Sequence, residues 1–383
     1  MRFSRRGRFR KSWHRRFARR GSTSRPTHDF QGLGMKILML NNEYPPLGGG
    51  ASPFTRTLVE ALTAIPGIRV DLVTAWFPGL KRTEIRGNLT IRRVTCVRLH
   101  KHVCTTFELF TYMIAAFFKG WRLGRTSHYD LIHAHFIVPA GIAARALSRL
   151  LSVPYIVSSH GTDVPGFNPD RFGLVHRVIA PWWRRAAADA AAIITPSRYL
   201  KELIQSKLDP ADRVRVVPYG FDANRIAPSP EKTATILMVS RLLERKGIQF
   251  VLRALQRLET RFSARVVGDG PYRDALQTLA RELGLAVTFT GWLEGDLLAR
   301  EYADAAIFVF PSSSESFGMV LAEAMAGACA VVAARGTACE EVLGDCGLYV
   351  DPGSVDQLAD AIAYLINNAD AARTYGTRAR ERI

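Results

Sequence analysis

From position 35 onward, short runs of consecutive apolar residues alternate with stretches whose apolar positions recur every three or four residues. The first runs are KILML (36–40), RVDLVT (69–74), DLIHA (130–134), PYIVSS (154–159) and AAIITP (191–196). Continuous Val, Ile and Leu, without strict alternation, predicts strands covered on both faces, as in a parallel sheet. Helical periodicity between the runs predicts a doubly wound α/β arrangement. The pattern pauses over 218–233, a stretch with Pro, Asn, Asp and Ser. It restarts with ATILMVS (234–240), SARVVG (263–268), AVTFTG (286–291), AAIFVFP (305–311) and ACAVVAA (328–334). The expectation is two Rossmann-like domains, 35–217 and 234–383, facing each other across a cleft and joined by a hinge at 218–233. Ligands of open α/β sheets sit beyond the carboxyl ends of the strands. Residues that follow each run are therefore the candidates for chemistry.

Composition supports a globular chain: 383 residues, 48% hydrophobic and 22% charged,. The net charge of +18 suggests a nucleic-acid partner until its distribution is read. Residues 1–34 carry +10 of it, through ten Arg, one Lys and one Asp. This tail has no apolar run and is not a secretory signal. A like-charged block repels itself and is expected to be disordered. Met35 opens a clean strand, so the tail reads as upstream of the true start or without function. Counterion release on anionic lipid or nucleic acid is its other use. Five cysteines, with no CxxC pair, fit neither a zinc site nor a disulfide framework,. A reducing cytoplasmic location follows. The apolar stretch near Leu109–Phe118 is too short to span a bilayer.

The densest candidate chemistry lies in PSSSESFGMVLAEAMAGA, 311–328. A buried strand precedes it, and a helix is expected to open around Phe317. Glu315 falls in the turn and Glu323 on the helix, eight residues on. The first turn of a helix presents unbonded N–H groups and the positive end of its dipole. Gly318 permits close approach to the backbone. Phosphate at this helix start, with carboxylates on both sides for sugar hydroxyls, is a coherent arrangement. Taken singly, each carboxylate is an ordinary solvated charge.

Other loops add to it. In SRLLERKG (240–247), Arg241 and Lys246 are a guanidinium fork and a point charge suited to a diphosphate,. In VVGDGP (266–271), Gly268 allows a tight turn and a close ligand, and Trp292 in the next such turn either flanks a base or simply packs. NNEYPPLGGGASPF (41–54) places Gly48, Gly49 and Gly50 before a helix, where amides meet phosphate,. It has no GK[ST] and is no P-loop. SSHGTD (158–163) sets His160 and Asp163 at a strand end, and His133 and His135 end another. The aromatic residues of 107–125, beside Lys119, Arg122 and Arg125, read as a core-facing helix with a basic outer face. A helix resting on an anionic membrane is the alternative.

Together these residues resemble glycosyltransferase family 4, whose members have the two-domain GT-B fold. The resemblance covers nearly everything from Met35 onward. Glu315 and Glu323 match the family's E-x7-E signature, with its internal FG at Phe317–Gly318. Arg241 and Lys246 match its R-x4-K pair. Gly48–Gly50 match its glycine loop, and His160–Asp163 its HG-x-D turn. The resemblance implies a retaining, metal-independent glycosyltransferase that uses a UDP- or GDP-sugar and needs no cofactor. Catalytic roles then fall to His160, Arg241, Lys246 and Glu315. Donor contacts fall to Gly49, Gly50, Asp163, Gly268, Phe317, Gly318, Met319, Val320 and Glu323.

The acceptor is expected to be the hydroxyl of a glycan, a lipid-linked sugar or a small molecule. The expected location is cytoplasmic, with contact at the inner face of an anionic membrane. The sequence stops at RARERI, where related chains continue with a helix that crosses back to the first domain. The alternative reading is a protein that binds nucleotide sugars or glycans without turnover. A specific nucleic-acid partner is not expected. A dehydrogenase is excluded by the missing GxGxxG fingerprint.

Overall fold

The computed structural model of the protein describes residues 34–383, apart from 102–103 and 209–211. The basic segment 1–33 lies outside the described residues, as do the readings made of it.

The first domain runs β1 (Met35–Leu40), α1 (Ala51–Ala64), β2 (Ile68–Ala75), β3 (Thr83–Arg86), β4 (Leu89–Val94), α2 (Thr106–Thr126) and β5 (Leu131–His135). It continues with α3 (Ile142–Leu151), β6 (Tyr155–Ser158), α4 (Pro169–Asp189), β7 (Ala192–Thr195), α5 (Arg198–Gln205) and β8 (Val214–Val216). Its eight strands lie in the order β3-β4-β2-β1-β5-β6-β7-β8. Only the β3–β4 hairpin is antiparallel.

The second domain runs β9 (Thr233–Val239), α6 (Ile248–Leu255), β10 (Ser263–Val267), α7 (Arg273–Glu282), β11 (Val287–Gly291), α8 (Gly295–Asp304) and β12 (Ala305–Phe310). It ends with α9 (Met319–Ala326), β13 (Ala330–Ala334), α10 (Cys339–Leu343), β14 (Leu348–Val350), α11 (Val355–Asn367) and α12 (Ala369–Arg382). Its six strands are all parallel, in the order β11-β10-β9-β12-β13-β14.

The apolar runs form strands because both faces of each sheet are covered. In β1, Leu38 and Leu40 enter one core while Ile37 and Met39 enter another on the opposite face. In β9, Ile236 and Met238 are separated from Leu237 and Val239 in the same way. Successive side chains of a strand point to opposite faces, so two cores per sheet demand an unbroken apolar run.

Strand order reverses direction between β1 and β5 in the first sheet, and between β9 and β12 in the second. At such a switch point the following loops diverge and leave a crevice. The two crevices face each other.

The connector is less free than its composition suggests. Ile226 is buried in the second domain, and Tyr219, Phe221 and Ala223 pack against the same core. The Lys232 ammonium donates to the carbonyls of Ala303, Ala305 and Gly327 at 2.9, 2.8 and 2.7 Å. The expected hinge at 218–233 is therefore largely fastened to the second domain, while the Val217 N–H just after β8 bonds the Thr195 carbonyl of the first at 2.8 Å. Helix α12 also stays on the second domain, where Arg380 donates to the carbonyls of Ile226 and Ala326.

Helix α2 departs from expectation. A Thr105–Glu108 capping box closes its N-terminus. Its buried stripe is small, with Ala116 and Gly120 beside Tyr112. A side chain at Gly120 would meet Leu147 of α3 at 2.6 Å, so close helix approach selects the small residues. Phe107, Phe110, Ile114, Phe118 and Trp121 form the outward stripe, with Phe107 64% and Phe118 57% exposed. The core-facing reading holds for Phe117, which packs against the core, and is corrected for Phe107, Phe110, Phe118 and Trp121.

Candidate active site

Two loops from the second sheet's switch point meet. After β9, a 3-10 turn at Glu244–Lys246 ends at Gly247, which holds a φ of 76°. This aims Lys246 toward the loop that follows β12. Its ammonium lies 2.8 Å from Glu315 Oε2 and 3.4 Å from Ser312 Oγ, above the Phe310 ring. The pair is largely sheltered, with side chains 11% and 18% exposed. Here two of the four expected catalytic residues, 69 positions apart in the chain, form one unit.

Gly318 caps α9 with a φ of 91°, a conformation that favours glycine,. The helix starts at Met319, two residues later than expected. As first residues of the helix, Met319 and Val320 have N–H groups with no intrahelical acceptor. A Cβ at Gly318 would lie 3.6 Å from Glu315 Cγ, so the carboxylate stands beside this helix start. The Phe317 side chain is buried and packs on Tyr219 with ring centroids 5.0 Å apart. The Phe317 ring thus sits in the domain interface.

Glu323 is on α9, where Tyr302 at the end of α8 donates a hydrogen bond to its Oε2 at 2.8 Å. Burial pushes this carboxyl up to about 7, while the tyrosine hydrogen bond opposes the shift,. The site therefore holds a carboxyl that changes charge near neutral pH.

From the first domain, the glycine loop approaches Arg241. A Cβ at Gly49 would lie 3.7 Å from the guanidinium Nη1. The Gly49 N–H, expected to be open for phosphate, donates to Glu43 Oε2 at 3.1 Å instead. Glu43 thus occupies the place of an anion in this loop. Gly50 precedes α1 with open space where a side chain would stand.

His160 sits in a ladder of stacked rings. His133 and His135 have centroids 4.7 Å apart, and His135 and His160 5.2 Å. His160 Nε2 shares a hydrogen bond with His135 Nδ1 at 3.0 Å, and its Nδ1 bonds the Tyr219 hydroxyl. Both nitrogens of His160 are therefore engaged in this arrangement. Burial holds His133 down to about 4 and His160 down to about 3, and it lowers His135 as well. The ladder is neutral at physiological pH. Tyr219 also stacks on Phe54 of α1 at 4.0 Å, so one connector side chain joins both domains to His160.

Two residues expected to contact the donor also have structural partners. Asp163 is buried and accepts from the N–H groups of Ile137 at 2.6 Å, His160 at 3.2 Å and Gly161 at 3.1 Å. The Ser159 hydroxyl donates to it as well, at 3.1 Å. It fastens the His160 turn to the end of β5 from beneath. A Cβ at Gly268 would lie 1.9 Å from the Ser240 carbonyl oxygen. The glycine there serves backbone packing between the β9 and β10 loops. Trp292 donates to Glu294 at 2.7 Å.

Sequence reasoning missed Tyr219, Tyr302 and Glu43. Nothing in the spacing of Tyr219 and Tyr302 marks them, because only folding brings them to His160 and Glu323, whereas Glu43 lies in the same loop as Gly49, six positions before it. The resulting arrangement gathers Arg241, Lys246 and a helix N-terminus at one edge, with carboxylates beside them. It suits a diphosphate that carries a polyhydroxyl group.

Residues 48–225 match the family described as Glycosyltransferase Family 4, and residues 222–382 match Glycosyl transferases group 1. An uncharacterized glycosyltransferase of Methanocaldococcus jannaschii is 30% identical, over 88% of this chain and 92% of its own. A GDP-mannose-dependent phosphatidylinositol monomannoside mannosyltransferase of Mycobacterium tuberculosis is 28% identical, over 90% and 93%. Among solved structures, a sucrose-phosphate synthase of Thermosynechococcus elongatus aligns with a TM-score of 0.78 at 23% identity, covering 91% of this chain and 94% of the other. Anabaena HepE in complex with UDP and glucose aligns at 0.72 with 21% identity, over 91% and 94%. With its paired Rossmann-like domains, the chain belongs to glycosyltransferase family 4 and is a glycosyltransferase of the GT-B fold.

Proposed function

We propose that the protein transfers a sugar from a UDP- or GDP-sugar to a hydroxyl acceptor, with retention of anomeric configuration and without a metal. The observation that carries this reading is the Lys246–Glu315 pair at the switch point, beside the start of α9, with Arg241 in the same loop as Lys246. The solved complex of HepE with UDP and the GDP-mannose dependence of the mycobacterial relative support a nucleotide-sugar donor.

In this reading the diphosphate displaces Glu315 from Lys246 and lies between Lys246 and Arg241. Their charges stabilise the leaving phosphate, which is electrostatic catalysis. The freed Glu315 accepts hydrogen bonds from donor-sugar hydroxyls, and Glu323 from the ribose. Met319 and Val320 N–H groups meet phosphate or sugar. The bond between C1 and the phosphate oxygen breaks as the acceptor oxygen bonds C1 on the same face. The acceptor proton passes to the departing phosphate. Gly49 and Gly50 approach the diphosphate from the first domain, with Glu43 giving way.

The outward stripe of α2 supports an acceptor held at a membrane. Phe107, Phe110, Phe118 and Trp121 are exposed beside Lys119, Arg122 and Arg125, and the helix's single acidic residue, Glu108, is buried. An apolar stripe with cations suits an anionic bilayer surface. The segment before α2 reaches the site, since Gly48 N–H donates to the Lys101 carbonyl at 2.8 Å. The proposed place of work is the cytoplasmic face of the membrane. No helix among the described residues is long and apolar enough to cross it.

The test is release of UDP or GDP by purified protein from a panel of nucleotide sugars and acceptors. Arg241→Ala and Glu315→Ala should each abolish transfer with folding intact. Full activity in both variants sinks the reading, and tight donor binding without turnover favours a binding protein.

A further inference from the structure

Beyond the shared cleft, the two domains are fastened by contacts on one flank. The Ser314 hydroxyl, next to Glu315, donates to the Phe167 carbonyl at 2.9 Å. Farther along, Glu341 on α10 crosses to α5 of the first domain. Its Oε2 accepts from the Arg198 N–H at 2.7 Å, and its Oε1 from the Tyr199 N–H at 2.6 Å. The third amide of that helix, Leu200, is capped within its own domain by Ser197 at 3.1 Å. Two of the N–H groups that a helix start leaves unbonded are thus satisfied by a carboxylate 143 and 142 positions away,. Negative charge at a helix N-terminus is favoured by the dipole as well. Neighbouring Glu340 is bonded within its own loop, to the Gly336 N–H at 3.2 Å, so Glu341 alone of the two crosses.

The carboxylate is also tied to the donor loop. The Ala338 N–H, just before α10, points to the Glu315 carbonyl at 3.4 Å. Cys339 Sγ lies 3.6 Å from where a Cβ at Gly318 would stand. On its other side, Arg382 donates to the Val342 and Glu341 carbonyls at 2.8 and 3.1 Å. A short helix is therefore clamped between the donor loop, the last helix and the facing domain. Across the cleft, the Arg241 guanidinium stands 3.7 Å from where a Cβ at Gly49 would lie. The domains that carry them are held together by the Tyr219 contacts within the cleft and by the Glu341 contacts on this flank.

We propose that Glu341 is a positioning residue for sugar transfer: its carboxylate grips the first turn of α5 and holds the domains in the closed arrangement that sets Gly49 against Arg241. The proposal rests on the reading of the reaction given above, in which both domains contact the donor. Donor binding supplies closure energy of its own, so losing this grip weakens donor capture more than turnover at saturation.

The experiment uses the full chain with Glu341→Gln, which keeps the shape but removes the charge and one acceptor. Amide hydrogen exchange should speed up about tenfold at Arg198 and Tyr199, equivalent to losing one charge-assisted hydrogen bond. Leu200 and the amides beyond it should not change. With UDP-glucose and GDP-mannose as probes, the donor KM should rise about tenfold while kcat stays within about twofold. Glu341→Asp, a shorter carboxylate, should fall between the two and serves if the Gln variant does not fold. Unchanged exchange at Arg198 and Tyr199 overturns the grip. Faster exchange with unchanged donor KM overturns the positioning role and leaves only a structural contact. If the wild type transfers from no nucleotide sugar, the reading of the reaction fails, and the exchange result still decides the grip.

Discussion

The phenol of Tyr302 donates to the carboxylate of Glu323 across 2.8 Å, from the last turn of one helix to the middle of the next. This bond fixes the orientation of the carboxyl proposed to hold the donor ribose. Tyr302→Phe keeps the buried ring and removes only the hydroxyl. The donor KM should rise about tenfold with kcat little changed, since the carboxyl loses the hydrogen bond that orients it. Steady-state kinetics over a range of donor concentrations checks this.

Buried titratable groups make stability depend on pH in two opposite ways. Glu323 is raised from the usual carboxylate range to about 7, so the folded state holds a proton that the unfolded chain releases. Its contribution to stability is present below the unfolded value and lost as pH rises through about 7. His133 and His160 are lowered to about 4 and about 3, so the unfolded chain takes up protons that the folded state refuses. Their effect is loss of stability as pH falls from about 6.5 toward those values. Glu323→Gln should gain stability over wild type as pH rises from 5 to 8. His160→Asn should lessen the loss between pH 6.5 and 4. Urea midpoints across pH, taken as variant minus wild type, separate the two.

Gly268 and Gly49 should respond differently to alanine. At Gly268 the new Cβ would strike the Ser240 carbonyl at 1.9 Å, with φ at 127°. Backbone on both sides has no slack, so Gly268→Ala should cost about 2–4 kcal/mol. At Gly49 the new Cβ meets Arg241 at ordinary contact distance, 3.7 Å. Gly49→Ala should fold normally and reduce donor affinity. Thermal denaturation and donor titration of both variants check the contrast.

The stripe on α2 should bind anionic vesicles. Phe107→Glu with Phe118→Glu puts two carboxylates where two exposed rings stood. Co-sedimentation with phosphatidylglycerol vesicles should be abolished, while activity on a soluble acceptor is retained. Vesicle binding by wild type should weaken with salt, because Lys119, Arg122 and Arg125 contribute about 1 kcal/mol each near such a surface. Equal sedimentation of variant and wild type would show that the stripe serves another end.

Most strands visible in the sequence are central ones buried on both faces, which favours apolar residues at nearly every position. Strands β3, β4, β8 and β14 escaped: β3 is a mostly exposed edge, β4 interrupts its apolar residues with Thr90, Arg92 and Arg93, and the other two have three residues each. The segment 218–233 was recognised as a connector by composition, but its docking on the second domain was not. Lys232 holds three carbonyls there, and no spacing rule signals that. The aromatics of α2 misled for a related reason: periodicity reports a stripe, and only the neighbour's shape decides which stripe is buried.

What the sequence by itself determined is the set of local devices: a glycine loop before one helix, a glycine cap before another, and cations and carboxylates just past strand ends. These depend on neighbours within a few positions, and backbone geometry turns such spacing into placement. The tertiary structure alone decided the partnerships. Lys246 with Glu315, Tyr302 with Glu323, His160 with Tyr219 and Glu341 with α5 join residues 21 to 143 positions apart. The physical reason is that charge pairing and burial follow distance in space. That distance is set by how the two sheets present their carboxyl edges to one another.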